Sequence, residues 1–188
     1  MYNTNNNKHN LFLLGLHISF IFVTYIIFLW PVIKAINIFP AHDNLTRHFV
    51  NYLYFSNSLL NGYGFPHWYP FEGGVPVGVT SIQLFSFLPH RLLGYAFYIF
   101  FPFEPITAYK VNLISGMLIF SIGWWFFLYS YTQSKISATF GVLMILLGGT
   151  GITILHQEQI LATITWIPWI LLAIIKLRKN YKFIKNTC

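Results

Sequence analysis

Charge is scarce in this sequence. Asp, Glu, Lys and Arg together make up 8% of its 188 residues, where a water-soluble domain carries roughly a quarter. So few charges leave no means of covering a globule's surface with groups that water solvates, which excludes an ordinary soluble domain. Acids are the rarer sign: four stand against 11 Lys and Arg, for a net charge of +7. On a polar domain that excess would suit a nucleic acid. Here most of the basic residues flank apolar runs, which argues for no nucleic-acid partner and for membrane orientation instead. Cysteine is nearly absent. Cys188 alone has no internal disulfide partner and says nothing of redox compartment. Missing too are a Walker loop, a dinucleotide fingerprint, a set of zinc-ligating cysteines and a serine nucleophile elbow.

What is present is grease. Hydrophobic types reach 56%, aromatics 20%, and the mean hydropathy is +0.60. The polar, Asn-rich start ends at Asn10, with Lys8 ahead of an apolar run from Leu11 to about Ile33. That run is long enough to cross a bilayer and no small-x-small cleavage site follows it, so it reads as a retained signal-anchor. Three further stretches approach the ~20 residues a spanning helix needs. They are Val111–Tyr131, Ile136–Leu155 with Gly148, Gly149 and Gly151, and Ile160–Leu177, where Pro168 predicts a kink. The expected fold is an all-α, polytopic membrane helical bundle of about four spans. With four alternating spans, Lys8, Lys135, Lys176, Arg178, Lys179, Lys182 and Lys185 fall on one side, and Asp43, Glu72, Glu104 and Glu158 on the other. The positive-inside bias then places residues 1–10 and the tail, 178–188, in the cytoplasm of a multi-pass cell-membrane protein. The lysine-rich tail is a stop-transfer flank that can touch anionic lipid.

Residues 34–110 form the expected outer loop. Leu45, Phe49, Tyr52, Leu53, Leu59 and Leu60 recur near helical spacing, and Asn61-Gly62 is a helix stop. Residues 83–101 are apolar but interrupted by Pro89, His90 and Arg91. A fifth span there would put the basic tail outside, so two short interfacial or re-entrant helices are expected. Between them, 62–78 is dense in Gly, Pro and aromatics, an ordered loop rather than a linker.

Three constellations bear polar chemistry. His42-Asp43 with Arg47 and His48 follows the first span. Asp43 there can serve as a general base or hold a divalent cation, and it can equally cap the next helix and pair with Arg47 four residues on. In the Gly-rich stretch, Trp68 and Tyr69 offer faces for a sugar ring and His67 and Glu72 offer polar partners, or the aromatics form an interfacial belt. His156-Gln157-Glu158-Gln159 precedes Trp166-Ile-Pro-Trp169 and either faces the same cavity as Asp43 or is a solvated turn. His17 is alone in the first span and reads as a packed or interfacial residue.

An acid after the first span, then a helix, then NGYGFPHWYPFEGGVPVG and LFSFLPHRLLGY, resembles the start of the bacterial YfhO-like membrane proteins, which belong with the GT-C type of polytopic glycosyltransferase. Asp43, His48, Gly62, Pro66, Trp68, Pro70, Gly73 or Gly74, and Pro76 match the family's pattern, and HQEQILATITWIPWILLAI resembles a later family stretch. The resemblance implies sugar transfer from a polyprenyl-phosphate-linked donor on the non-cytoplasmic face. It implies Asp43 as base or metal ligand, Arg47 or Arg91 on the donor phosphate, and His42, His48, His67, Trp68, Glu72 and His156 as further walls of the site. No metal-ligand set is assigned and the cofactor is unknown, with a divalent cation left open. GT-C proteins carry many more spans, so the resemblance covers an N-terminal part, and further spans from a second chain stay open as partners beside membrane lipid and the donor. The rival class is a non-enzymatic transport or assembly subunit. A transporter should carry broken or charged segments at midplane in paired halves; Pro168 is the only break of that kind, and the charges lie outside the expected spans.

Overall fold

The computed structural model describes residues 4–34, 48–64, 66, 68–69, 75–76, 88–102, 104–149, 151, 153 and 158–187. Helix α1 covers Thr4–Lys34, α2 Phe49–Leu60, α3 Pro89–Phe100, α4 Pro105–Thr132, α5 Lys135–Leu147, α6 Glu158–Ile164 and α7 Ile167–Thr187. Between α2 and α3, the two-residue strands β1 (Trp68–Tyr69) and β2 (Val75–Pro76) pair antiparallel, Trp68 opposite Pro76 and Tyr69 opposite Val75. The chain is an all-α membrane protein. Leu11–Pro31, Pro105–Thr132 and Ile160–Arg178, of 21, 28 and 19 residues, are long and apolar enough to cross a bilayer.

The helix boundaries follow from local chemistry. Helix α2 stops where Asn61-Gly62 predicts. Gly62 turns left-handed at φ +75°, its N–H donates to Leu59 O, and the Tyr63 N–H donates to Ser58 O. Those two bonds are the Schellman pair that satisfies the last carbonyls. Helix α3 starts on Pro89, whose missing N–H costs nothing in a first turn. It runs 12 residues, about 18 Å, so it does not cross ~30 Å of hydrocarbon. Ser134 caps α5 by accepting from the Ser137 N–H.

Two elements differ from expectation. Helix α5 has 13 residues and stops at Gly148, whose backbone is extended at φ −73°, ψ 168°, whereas the apolar run continues to Leu155. The backbone is helical again at Gly149, Gly151 and Thr153, so Gly148 interrupts the run rather than ending it. Gly151 is also pressed against the Leu146 carbonyl, where a side chain would collide. The run Ile160–Leu177 is not one kinked helix: α6 ends at Ile164, a turn occupies Thr165–Trp166, and α7 begins at Ile167. Pro168 has no N–H for the Ile164 carbonyl and its ring would strike it, so the break falls one turn ahead of the proline.

The chain divides into two compact units. One comprises 1–30, 120–152 and 164–188. Its core includes Ile21, Tyr25, Leu29, Trp125, Val142 and Leu146. Small residues set the helix contacts: a Cβ on Gly123 would stand 2.6 Å from Trp169 Nε1, and one on Gly141 would stand 2.7 Å from Leu128 Cδ1. Thr139 ties three helices together. Its Oγ1 lies 2.9 Å from the Lys135 carbonyl and from His17 Nδ1, and accepts from Trp125 Nε1 at 3.1 Å. With its one proton on the carbonyl, the hydroxyl accepts from both rings, its full complement. His17 is thus a packed residue. The second unit comprises 31–119 and 153–163 and carries α2, β1, β2 and α3.

Candidate functional site

The core of the second unit is built on tyrosine. Tyr52 of α2 is fully buried. Its hydroxyl donates to the Gly94 carbonyl of α3 at 2.6 Å, and its ring stacks on Tyr95 with centroids 5.4 Å apart. Tyr109 of α4 meets both Tyr52 and Phe49, each at 5.4 Å. Tyr98 donates to Asn57 Oδ1 at 2.8 Å, and burial raises its pKa, keeping the donor protonated. Gly94 lets α3 approach α4: a Cβ there would stand 2.7 Å from Asn112 Cβ and 3.3 Å from the Tyr52 ring. Ser115 Oγ donates to the His90 carbonyl at 3.2 Å, and a Cβ on Gly116 would lie 3.3 Å from the His90 ring.

Around these rings lies an uncommon set of buried polar side chains. His48 and Asn51, with Ser56, face inward from α2, His90 and Arg91 from α3, and Lys110 and Asn112 from α4; Arg91 is 2% exposed and Lys110 7%. Burying cations is expensive unless an anion or hydrogen bonds meet them. The Asn51 amide, fully buried, finds no hydrogen-bond partner for either its nitrogen or its oxygen among the described residues, and an unmet buried amide costs about 1–3 kcal/mol.

The outer face of α3 is the reverse. Leu92, Leu93, Ile99 and Phe100 are exposed, while His90, Arg91, Gly94, Tyr95 and Tyr98 are buried. A helix in water does the opposite. A helix against hydrocarbon puts its apolar stripe outward, as this one does.

Of the residues singled out from sequence, His48 and Arg91 come into this one unit and are both buried. Trp68 is placed by its backbone in β1, opposite Pro76. His42, Asp43, Arg47, His67, Glu72 and His156 lie outside the described residues. Glu104 is exposed and accepts from Thr107 Oγ1 at 2.8 Å, ahead of Pro105 at the start of α4. The structure adds Asn51, His90, Lys110 and Asn112. A helical count would have found the first two, since Asn51 is three residues from His48 and His90 adjoins Arg91. Lys110 and Asn112 carry no such signal, because the sequence marks Lys110 only as the edge of an apolar run.

No group of three or more His, Cys, Asp or Glu side chains that could hold a metal ion comes together among the described residues. The buried polar set of this unit comprises a guanidinium, an ammonium, two imidazoles and two amides. No family model, no curated protein and no solved structure matches this chain.

Proposed function

We propose that the chain is a multi-pass membrane glycosyltransferase of the GT-C kind, moving a sugar from a polyprenyl-phosphate-linked donor to an acceptor hydroxyl on the non-cytoplasmic face. The observation that carries this reading is the pairing of opposite surfaces in α3. Arg91 and His90 are buried, as is Lys110 of the same unit, while Leu92, Leu93 and Phe100 turn outward. A donor with a phosphate at one end and a long hydrocarbon at the other needs both surfaces side by side.

In this mechanism Asp43 takes the proton from the acceptor hydroxyl. The acceptor oxygen bonds to the anomeric carbon as the bond from that carbon to the phosphate oxygen breaks. The polyprenyl phosphate leaves with the electron pair. Arg91 and Lys110 stabilise its charge, the guanidinium by paired hydrogen bonds. In this reading Asn51 and His48 orient a hydroxyl or phosphate oxygen.

The test uses membranes containing the chain, supplied with radiolabelled polyprenyl-phosphate sugars. Asp43→Asn should cut transfer by roughly 10²–10⁴-fold, the usual weight of a general base. Arg91→Gln should raise KM for the donor, with Arg91→Lys between it and the parent. Unchanged turnover in Asp43→Asn removes that residue from the mechanism. Absence of transfer by the parent chain with every donor removes the enzyme.

A further inference from the structure

Helix α4 is a ruler through the bilayer. Beyond its last turn, Thr132 and Gln133 are exposed, and the backbone at Gln133 and Ser134 is not helical. Irregular backbone facing lipid is not tolerated in hydrocarbon, so that turn lies at or beyond the edge of the apolar core. From Thr132 back to Ser115 the helix rises about 25 Å, and back to Asn112 about 30 Å. The apolar core is ~30 Å thick. Ser115 therefore lies inside it and Asn112 at its far edge. Tilting α4, or setting the turn further out in water, carries both points deeper still.

Helix α3 is staggered against this ruler in antiparallel order. At its start, the His90 carbonyl accepts from Ser115 Oγ, and the His90 ring faces Gly116. One turn on, Gly94 meets Asn112. Further on, Tyr52 bridges Tyr95 and Tyr98 to Tyr109. As α3 advances, its partners on α4 recede. Glycine on each helix lets the two backbones approach as they do between membrane helices. The proline end of α3 is thus level with Ser115, below the edge of the hydrocarbon. Its last residue, about 9 Å past Gly94, stands beyond that edge.

We infer that α3 is a re-entrant helix. It stands upright against α4, with Pro89 to Leu93 sunk into the leaflet away from the Thr132–Lys135 turn and the exposed Leu92–Leu93 face covered by acyl chains. The depth measured along α4 says what that face meets: at the level of Ser115 the surrounding medium is hydrocarbon. Arg91, buried on the other side of the helix, is carried beneath the headgroups with it. The placement stands whether or not the chain transfers sugar. A helix lying flat among the headgroups would instead give Leu93 and Phe100 one depth, because they are two turns apart on one face.

Leu93 and Phe100 are both exposed, so they test this without disturbing packing. Leu93→Cys and Phe100→Cys are each made in the full chain carrying Cys188→Ser, spin-labelled and reconstituted into phosphatidylcholine bilayers. The accessibility of each label to oxygen, which concentrates in hydrocarbon, against a water-soluble nickel chelate gives its depth. The label at 93 should lie roughly 10 Å deeper than the label at 100 and be reached by oxygen. Equal depths overturn the proposal by laying the helix flat. A label at 93 shielded from both reagents overturns it as well, since a further helix or a second copy then covers that face in place of lipid. A second reading needs no label. Leu93→Lys sets a charge in hydrocarbon and should lower the yield of folded protein in membranes several-fold, whereas Phe100→Lys should leave it near the parent's. Equal tolerance of the two lysines counts against the re-entrant placement.

Discussion

At the scale of single residues, two positions in the second unit separate packing from function. Gly94 is there for space: a methyl group would sit 2.7 Å from Asn112 Cβ. Gly94→Ala should therefore destabilise by about 1–3 kcal/mol, the usual cost of overfilling a packed contact. Thermal unfolding of the detergent-solubilised protein checks this, with a melting temperature equal to the parent's counting against it. Asn51 is the contrary case. Its buried amide has no partner among the described residues, so Asn51→Leu should leave stability unchanged or raise it. If the amide serves substrate, the same variant loses activity, the exchange expected where a site holds an unfavourable group for a purpose. Stability and transfer measured on one preparation distinguish this from a mere packing role, in which both fall together. Little of this was legible in the sequence. The sequence singles out His48 and Arg91, and both are buried in this unit. Asn51 lies one helical step from His48 and a count would have found it, but Lys110 carries no such signal, because nothing in a one-dimensional pattern tells whether an ammonium points into a core.

Among the elements, punctuation was easier to read than orientation. The stop at Asn61-Gly62 and the start at Pro89 are local events governed by a left-handed glycine and a missing N–H, and both stand where the residues place them. Which face of α2 turns inward does not follow from spacing: Leu45, Phe49, Tyr52, Leu53, Leu59 and Leu60 recur near helical spacing, yet the buried residues of α2 are Asn51, Tyr52, Phe55 and Ser56, and Leu60 is exposed. The assumption that apolar faces point inward holds in water and fails where the surroundings are themselves apolar. The break before α7 has the same local origin as the other boundaries. Pro168→Ala restores the N–H and removes the ring from the Ile164 carbonyl, so α6 and α7 should join through Thr165–Trp166. Far-ultraviolet circular dichroism should register about two more helical residues, and hydrogen exchange at 165–168 should slow. Exchange as fast as in the parent would place the cause of the break elsewhere, most directly in the contact of Pro168 and Trp169 with Gly123.

For the whole molecule, the membrane class was legible from composition alone, and three long apolar helical stretches, the last broken at Thr165–Trp166, agree with it. The division into two units was not, because each draws residues from distant parts of the chain. The sidedness read from lysines and arginines is open to direct measurement. With Cys188 replaced by serine, cysteine introduced at the exposed Asn61 should react with an impermeant maleimide added to intact cells, and cysteine at the exposed Ser137 should react only after lysis. The reverse pattern inverts the topology and removes the outer face as the place of reaction.

The inside-out character of α3 also bears on how this protein can be handled. With Arg91 turned inward and Leu92, Leu93 and Phe100 outward, α3 does not present a surface suited to water. Cut away from its spans and secreted, that segment would meet water with the wrong surface and gather into aggregates.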